Sequence, residues 1–187
     1  MTTALIIGDV QVGIVDELLP AARSVLAPLA AALPVARRKG AAVIYVRVGL
    51  RPDRAEVPDR NPNIAWMFDR GELFQESSPA TAIHPDIAPA PAEPVLVKRR
   101  GSAFAGTDLE AVLRARGISE IALAGVATSG VVLHTLIDAT DRDYAVTVLR
   151  DGCMDPEPDV HDFLLDRVFP GRGAQVLDAR EWVDRLP

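Results

Sequence analysis

The sequence contains only one cysteine, Cys153, in 187 residues. One cysteine cannot form an intramolecular disulfide, so the chain lacks the signature of a disulfide-stabilised secreted domain and a cytoplasmic location is expected. The first residues lack a basic segment followed by a long apolar run, and Leu5-Ile6-Ile7 predicts a first strand rather than a signal peptide. No run approaches the roughly 18 apolar residues that a membrane span requires, so no membrane contact is expected.

Basic residues are outnumbered by acidic ones, 20 against 26, which gives a net charge of −6 and a pI of about 5.1. An acidic surface repels phosphate backbones, and the short run Lys98-Arg99-Arg100 is not a sufficient footprint, so no nucleic-acid partner is expected. The three histidines are His84, His134 and His161. Their spacing matches no ligand set, so we expect neither a metal nor another cofactor.

The apolar content of 49% and the charged content of 25% are ordinary for a globular protein. The length fits one domain over 1–187 with a full hydrophobic core. Several short aliphatic runs are almost wholly apolar, which is typical of parallel strands covered by helices on both faces. The predicted strands are 5–7, 41–48, 94–98, 120–126, 144–149 and 174–177.

Helical segments separate most of these strands, which predicts an α/β fold built from repeated β-α-β units. Pro34 should kink or divide the first helix. Thr107 and Glu110 have the spacing of a capping box, and Gly117 should end that helix. The proline-rich connection 49–93 should contain a short helix near Pro62–Phe68 and cover the carboxyl ends of the strands. The predicted helices are 24–39, one that follows Thr107, 129–141, 156–168 and 179–186.

Three features fall at predicted carboxyl ends of strands, where open parallel sheets bind their ligands. Asp9 ends the first strand, Lys98 ends the third, and Gly125–Val132 joins the fourth strand to a helix. Alone, Asp9 could be a cap and Lys98 a solvated tip. Together they suggest a buried ion pair with shifted pKa values. The turn offers backbone N–H groups to an anion or a developing oxyanion, although an ordinary turn with a Ser or Thr cap would use the same donors.

Taken in order, these motifs resemble the isochorismatase-like hydrolase superfamily over nearly the whole chain. The segments that carry the resemblance are Asp9-Val10-Gln11, Lys98 with 100–104, 107–109, and Gly125–Val132. The resemblance implies a three-layer αβα, Rossmann-like fold with a six-stranded parallel sheet of order 3-2-1-4-5-6. It also implies a non-proline cis peptide bond between Val126 and Ala127.

The same resemblance implies an Asp-Lys-Cys triad, in which Asp takes the thiol proton, Lys stabilises charge and Cys attacks an amide or nitrile carbon. The Asp and Lys match Asp9 and Lys98, but the cysteine position, counted from Thr128, matches Val131. Valine has no nucleophile, so covalent thiol catalysis at this position is excluded. Core packing is an equal alternative for Trp66 and Phe104. The implied substrate and oxyanion pocket consists of Gln11, Trp66, Phe104, Val126, Ala127, Thr128 and Gly130.

Two functions therefore remain open. The chain could be a hydrolase of a small amide, or of a vinyl ether, by acid–base chemistry of Asp9 and Lys98, as the cysteine-free isochorismate-cleaving members are thought to do. It could instead be a catalytically silent member that binds a small ligand or serves as a structural subunit. In either case the family implies a small-molecule partner and a homodimer or homotetramer.

Other polar residues have less specific interpretations. Cys153 should be a small buried residue just past the fifth strand, the alternative being a displaced nucleophile with a lowered pKa. His134 should pack beneath the turn or at a subunit contact rather than act as a base. For Arg47 a surface ion pair is favoured over a role in binding a substrate anion. The stretch 151–170 is expected to be structural.

Overall fold

The structure, a computed structural model, describes residues 2–187 and contains six parallel strands. They are β1 Thr2–Gly8, β2 Ala42–Val48, β3 Val95–Lys98, β4 Ile118–Val126, β5 Ala145–Met154 and β6 Gln175–Leu177. Their order across the sheet is β3-β2-β1-β4-β5-β6, which confirms the predicted fold class and strand order. The order reverses between β1 and β4, so the ends of these two strands lie at the position where open sheets bind ligands.

Helices lie on both faces of the sheet. They are α1 Leu26–Arg38, α2 Pro62–Phe68, α3 Leu109–Ala115, α4 Leu133–Thr140, α5 Pro158–Phe163, α6 Phe169–Gly171 and α7 Ala179–Arg185. Shorter π- and 3₁₀-type segments are Gly13–Leu18, Pro20–Val25, Gly71–Leu73, Pro79–Thr81, Pro85–Ile87, Thr128–Val132 and Leu164–Val168. None of the helices within residues 2–187 is long and apolar enough to cross a membrane.

Successive residues of β1 point to opposite faces, and each face contributes to its own core. Leu5 and Ile7 pack with Leu29 of α1, whereas Ile6 packs with Leu136 of α4. These side chains are almost completely shielded from water, since Leu5, Ile7, Leu29 and Leu136 are 0% exposed. Because β1 is covered on both sides, the residue that follows it is also delivered into a buried position.

Helix α1 continues through Pro34, so the division that was one of the two predicted effects of this proline does not occur. Leu29, Leu33 and Ala36 are buried on the sheet side of this helix, while Pro34 lies on its exposed side. A proline in a helix interior costs about 3 kcal/mol or more. Burial of an aliphatic side chain contributes roughly 1.5–3 kcal/mol, so the packed face maintains the helix.

The predicted capping box before α3 does not form. Thr107 Oγ1 accepts a hydrogen bond from the Leu109 backbone N–H at 3.2 Å, one residue short of the expected donor. The Glu110 carboxylate pairs with Arg114 instead of returning to the helix start. Gly117 does follow the helix with φ +61°, as expected of a glycine that ends a helix.

The long connection after β2 contains α2 at the predicted position, Pro62–Phe68. The connection also forms isolated bridges with the residues just past β1 and β2, Gln11 with Ile83 and Leu50 with Gln75. It therefore lies along the carboxyl ends of these strands, as expected, and borders the site described next.

Candidate functional site

Asp9 and Lys98 meet at the carboxyl end of the sheet. Lys98 Nζ lies 2.8 Å from Asp9 Oδ2, and the Asp9 backbone N–H donates to the Val46 carbonyl at 2.8 Å. The two residues are only 6% and 2% exposed. The structure thus brings together, as a buried ion pair, the two charges that end β1 and β3.

The Asp9–Lys98 ion pair does not satisfy all the hydrogen-bonding groups of its two side chains. Burial raises the pKa of the Asp9 carboxyl above its usual value, while the Lys98 ammonium acts in the opposite direction. Asp9 Oδ1 is buried and has no hydrogen-bond partner among the described residues. Lys98 Nζ also donates to the Arg100 carbonyl at 3.0 Å, which leaves one of its three N–H groups uncommitted. One carboxyl oxygen and one ammonium N–H of the pair therefore have no partner among residues 2–187.

The turn after β4 has an irregular backbone. The Val126–Ala127 peptide bond is cis, as the resemblance implied, and Gly130 has non-helical angles of φ −95° and ψ −110°. No Ser or Thr side chain caps the segment that follows. Instead the Ser129 N–H donates to Asp155 Oδ2 at 2.7 Å. The alternative of an ordinary Ser or Thr cap is therefore not realised, and a carboxylate from the loop after β5 binds the turn instead.

A second residue from beyond β5 also holds this turn. Thr128 is fully buried, and its Oγ1 lies 2.8 Å from His161 Nδ1. Burial lowers the pKa of His161, partly opposed by the nearby Asp155 and Asp162 carboxylates. The sequence interpretation gave 151–170 no part at the site and missed both contacts. One feature of the sequence could have pointed to Asp155, namely its position just after a strand that neighbours β4.

Val131 packs directly against the strand that carries Asp9. A Cβ atom on Gly8 would lie 2.7 Å from Val131 Cγ2, and one on Gly125 would lie 2.4 Å from the Gly8 carbonyl oxygen. Val131 is itself only 5% exposed. The close approach of β1, β4 and the turn therefore requires glycine at both strand positions, with the valine side chain filling the space beside Gly8.

Gln11 ties the end of β1 to the end of β2. It is fully buried, its Nε2 donates to the Val48 carbonyl at 3.1 Å, and its Oε1 accepts from the Val48 N–H at 2.8 Å. Both ends of the amide are thus bonded to backbone, so Gln11 stiffens the rim of the site.

The two aromatic pocket candidates occupy different environments. Trp66 is 44% exposed, with the Arg70 guanidinium 3.5 Å from its ring centroid. Phe104 is 6% exposed and packs in the core against Tyr144, with ring centroids 6.1 Å apart. Phe104 thus has the contacts of a core residue, whereas Trp66 is partly exposed at the surface of α2.

The remaining candidates are also accounted for by contacts. Cys153 lies within β5 rather than past it, and burial raises its pKa to about 12, which disfavours a reactive thiolate. His134 Nδ1 lies 2.7 Å from the Gly130 carbonyl oxygen, so the ring packs against the turn.

Arg47 makes no ion pair with a carboxylate of residues 2–187, so the prediction of a surface ion pair for this residue is wrong. Its Nη1 donates to Thr81 Oγ1 at 2.6 Å.

A cleft of about 440 Å³ borders the residues that hold the turn after β4, since Met154, Asp155 and His161 contribute to its lining. Within residues 2–187, no group of three or more His, Cys, Asp or Glu side chains could hold a metal ion. A cleft of about 520 Å³ lies at the opposite, amino-terminal edge of the sheet, where Thr3, Trp182 and Arg185 contribute to its lining. None of the candidate residues lines that cleft. The buried charge pair and the turn, not cavity size, therefore locate the candidate site.

The comparison with known families agrees with this geometry. Residues 3–181 match the family described as Isochorismatase domain. The chain belongs to the isochorismatase family. An isochorismatase family protein of Escherichia coli O157:H7, YecD, is 30% identical over 99% of this chain and 96% of its own length.

Solved structures of the isochorismatase family extend the match to three dimensions. An isochorismatase family protein from Burkholderia thailandensis superposes with a TM-score of 0.85 at 31% identity, covering 99% of this chain and 95% of that one. The N-carbamoylsarcosine amidase of Thermoplasma acidophilum has a TM-score of 0.79 at 27% identity, covering 96% and 97%. The family of this chain thus includes amide hydrolases.

Proposed function

We propose that this isochorismatase-family chain is a hydrolase of a small molecule, an amide or a vinyl ether, that uses Asp9 and Lys98 without a covalent thiol. The observation that carries the proposal is the unpartnered, buried Oδ1 of Asp9 beside the Lys98 ammonium. An unsatisfied buried carboxyl is costly unless a ligand or a proton completes it. Its raised pKa suits a general acid.

On a vinyl ether, the protonated Asp9 carboxyl would transfer its proton to the terminal vinyl carbon, producing an oxocarbenium ion beside the newly formed carboxylate. Water would add to the cationic carbon and return a proton to Asp9. The resulting hemiketal would collapse to a ketone and an alcohol. On an amide, water would add to the carbonyl carbon, Asp9 would give its proton to the departing nitrogen, and the Asp9 carboxylate so formed would take up the proton released by the added water. The N–H groups of the turn after Val126 are the candidate donors for the oxyanion.

A second function, binding without turnover, is favoured by one observation. Val131 fills the space beside Gly8 with two methyl groups and is almost completely buried. A side chain that occupies the position which the resemblance assigns to the nucleophile would leave a pocket that holds a ligand and does not cleave it.

The two functions are separated by assaying wild type, Asp9→Asn and Val131→Cys on a panel of amides, nitriles and vinyl ethers. The hydrolase proposal expects turnover by wild type and a loss of about 10²–10⁴-fold in Asp9→Asn, the usual range for removal of a general acid. Asp184→Asn, an exposed carboxylate on α7, is the matched control and should retain full activity. If wild type is inert throughout and Val131→Cys gains amidase activity, the binding function replaces the proposal.

A further inference from the structure

One side chain joins the two halves of the candidate site, and it is His134 in the first turn of α4. The first half is the Asp9–Lys98 pair at the ends of β1 and β3. The second half is the irregular turn between β4 and α4. His134 contacts the turn directly and also contacts the loop that follows Lys98. It can therefore set the position of one half relative to the other.

On the turn, His134 binds the carbonyl group of Gly130. Its Nδ1 lies 2.7 Å from this oxygen, and since a carbonyl oxygen only accepts, Nδ1 must carry the proton. Gly130 has non-helical angles of φ −95° and ψ −110°, and its carbonyl also accepts from the Leu133 N–H. The Gly130 carbonyl and the Val131 N–H belong to one planar peptide unit. A bond that fixes the carbonyl therefore also fixes the direction of this N–H, which is one of the candidate oxyanion donors.

On the loop after β3, the ring of His134 lies against Gly101. A Cβ atom on Gly101 would lie 2.8 Å from His134 Cγ and 3.0 Å from its Nδ1, so the ring can take this position only because the loop has no side chain there. The next residue of α4, Thr135, is buried, and its Oγ1 accepts from the Ala103 N–H at 3.0 Å. Two consecutive residues of α4 thus contact the loop.

The same loop carries an acceptor for Lys98. The Lys98 Nζ donates to the Arg100 carbonyl at 3.0 Å and lies 2.8 Å from Asp9 Oδ2. The Arg100 carbonyl belongs to the peptide unit that leads into Gly101, so a contact that holds Gly101 also bears on this acceptor. Contacts therefore run without a gap from the Asp9–Lys98 pair to the ring of His134.

We propose that His134 is a positioning residue, which sets the direction of the Val131 N–H relative to the Lys98 ammonium. It acts through the Gly130 carbonyl on one side and through Gly101 on the other. It acts on backbone and has no role as an acid or a base. That a reaction is being positioned rests on the proposed function, whereas the coupling of the loop to the turn does not.

The test is a double-mutant cycle of Gly101→Ala and His134→Ala, measured by kcat and KM on a substrate from the panel. The backbone of Gly101 is open to an L-residue, so alanine should displace the exposed His134 ring rather than unfold the loop. Each single variant is expected to lower kcat about 3- to 10-fold, in the range of one hydrogen bond, and to change KM by less than about 2-fold. The double variant should match His134→Ala, because no ring is left to displace.

His134→Asn is the conservative variant, because its side-chain amide N–H can take the place of the Nδ1 donor. It should keep at least about half of the wild-type kcat, which a residue needed as a base would not do. The matched control is Ile137→Ala, an exposed residue on the same helix, which should leave kcat unchanged.

The same cycle is also read without turnover, from the amide ¹H–¹⁵N shifts of residues 128–131. Gly101→Ala should move these shifts in wild type and leave them in place in the His134→Ala background. If wild type is inert on every substrate, the hydrolase proposal fails and the shifts alone decide on the coupling.

Three results would overturn the positioning role of His134. They are additive effects of Gly101→Ala and His134→Ala on kcat, a loss in His134→Asn as large as in His134→Ala, or turn shifts that Gly101→Ala does not move or moves equally without His134. Far-UV circular dichroism establishes that each variant is folded. If Gly101→Ala does not fold, the comparison of His134→Asn with His134→Ala decides, since both substitutions lie on the surface.

Discussion

At the end of β1, two adjacent residues have separate tasks. Gly8 lets the turn approach, because any side chain there would meet Val131, and Asp9 supplies the carboxyl group. Asp9 and Lys98 could be singled out from the sequence and predicted to pair, since each lies at the end of an apolar run, and the structure confirms the pair. The contact between Gly8 and Val131 could not be predicted, because it joins segments far apart in sequence.

Gly8→Ala is predicted to destabilise the protein by about 1–3 kcal/mol, the usual cost of overpacking a core. Val131→Ala removes the two methyl groups that the new Cβ would meet, so the cost of Gly8→Ala should be smaller in that background. Urea unfolding of the four proteins of this double-mutant cycle measures the coupling.

Gly125→Ala is the control for this cycle. Its Cβ would meet the backbone carbonyl of Gly8, which Val131→Ala cannot move away. Its cost should therefore be unchanged by Val131→Ala. Strict additivity of Gly8→Ala and Val131→Ala would mean that the contact between Gly8 and Val131 is not rigid.

At the scale of elements, the turn between β4 and α4 is held from outside. Its position could be predicted, since Gly125–Val132 follows an apolar strand. The residues that fix it could not, because Asp155 and His161 reach it only after β5 has paired with β4. Similarly, the capping box at Thr107 has the right spacing, but Glu110 is drawn to Arg114.

Asp155→Ala is predicted to cost about 1–3 kcal/mol, because the Ser129 N–H and the Glu157 N–H each lose their acceptor. Activity should fall as well, since the turn supplies the candidate oxyanion donors. Asp159→Ala is the matched control, an exposed aspartate in the first turn of α5, and should change stability by no more than about 0.5 kcal/mol. Equal effects of the two substitutions in urea unfolding would show that Asp155 does not hold the turn.

At the scale of the whole molecule, the alternation of strands and helices predicted the α/β class from the sequence. The order of the strands came only from the resemblance, because apolar runs do not specify which strand neighbours which. The passage of α1 through Pro34 was missed for a related reason. A local rule predicts a break there, but burial of Leu29, Leu33 and Ala36 against the sheet outweighs it.

Cys153 reports on the integrity of the whole sheet. It lies in β5, is 5% exposed, and has its pKa raised to about 12 by burial. A disulfide reagent should therefore leave the native protein unlabelled at neutral pH and react with one thiol per chain in denaturant. Labelling is measured by absorbance of the released thiolate. Rapid reaction of the native protein, with loss of turnover, would contradict the burial and point to a thiol-dependent activity.

The central claim, that Asp9 acts as an acid without a thiol, is tested most directly by the pH dependence of kcat/KM on a substrate found in the panel. The raised pKa keeps Asp9 protonated to higher pH than an ordinary aspartate, and activity that needs this proton is present below that pKa. The predicted profile falls about 10-fold per pH unit above the Asp9 pKa. A rate that is flat across the same range, or that rises with pH as a thiol ionises, would contradict the claim.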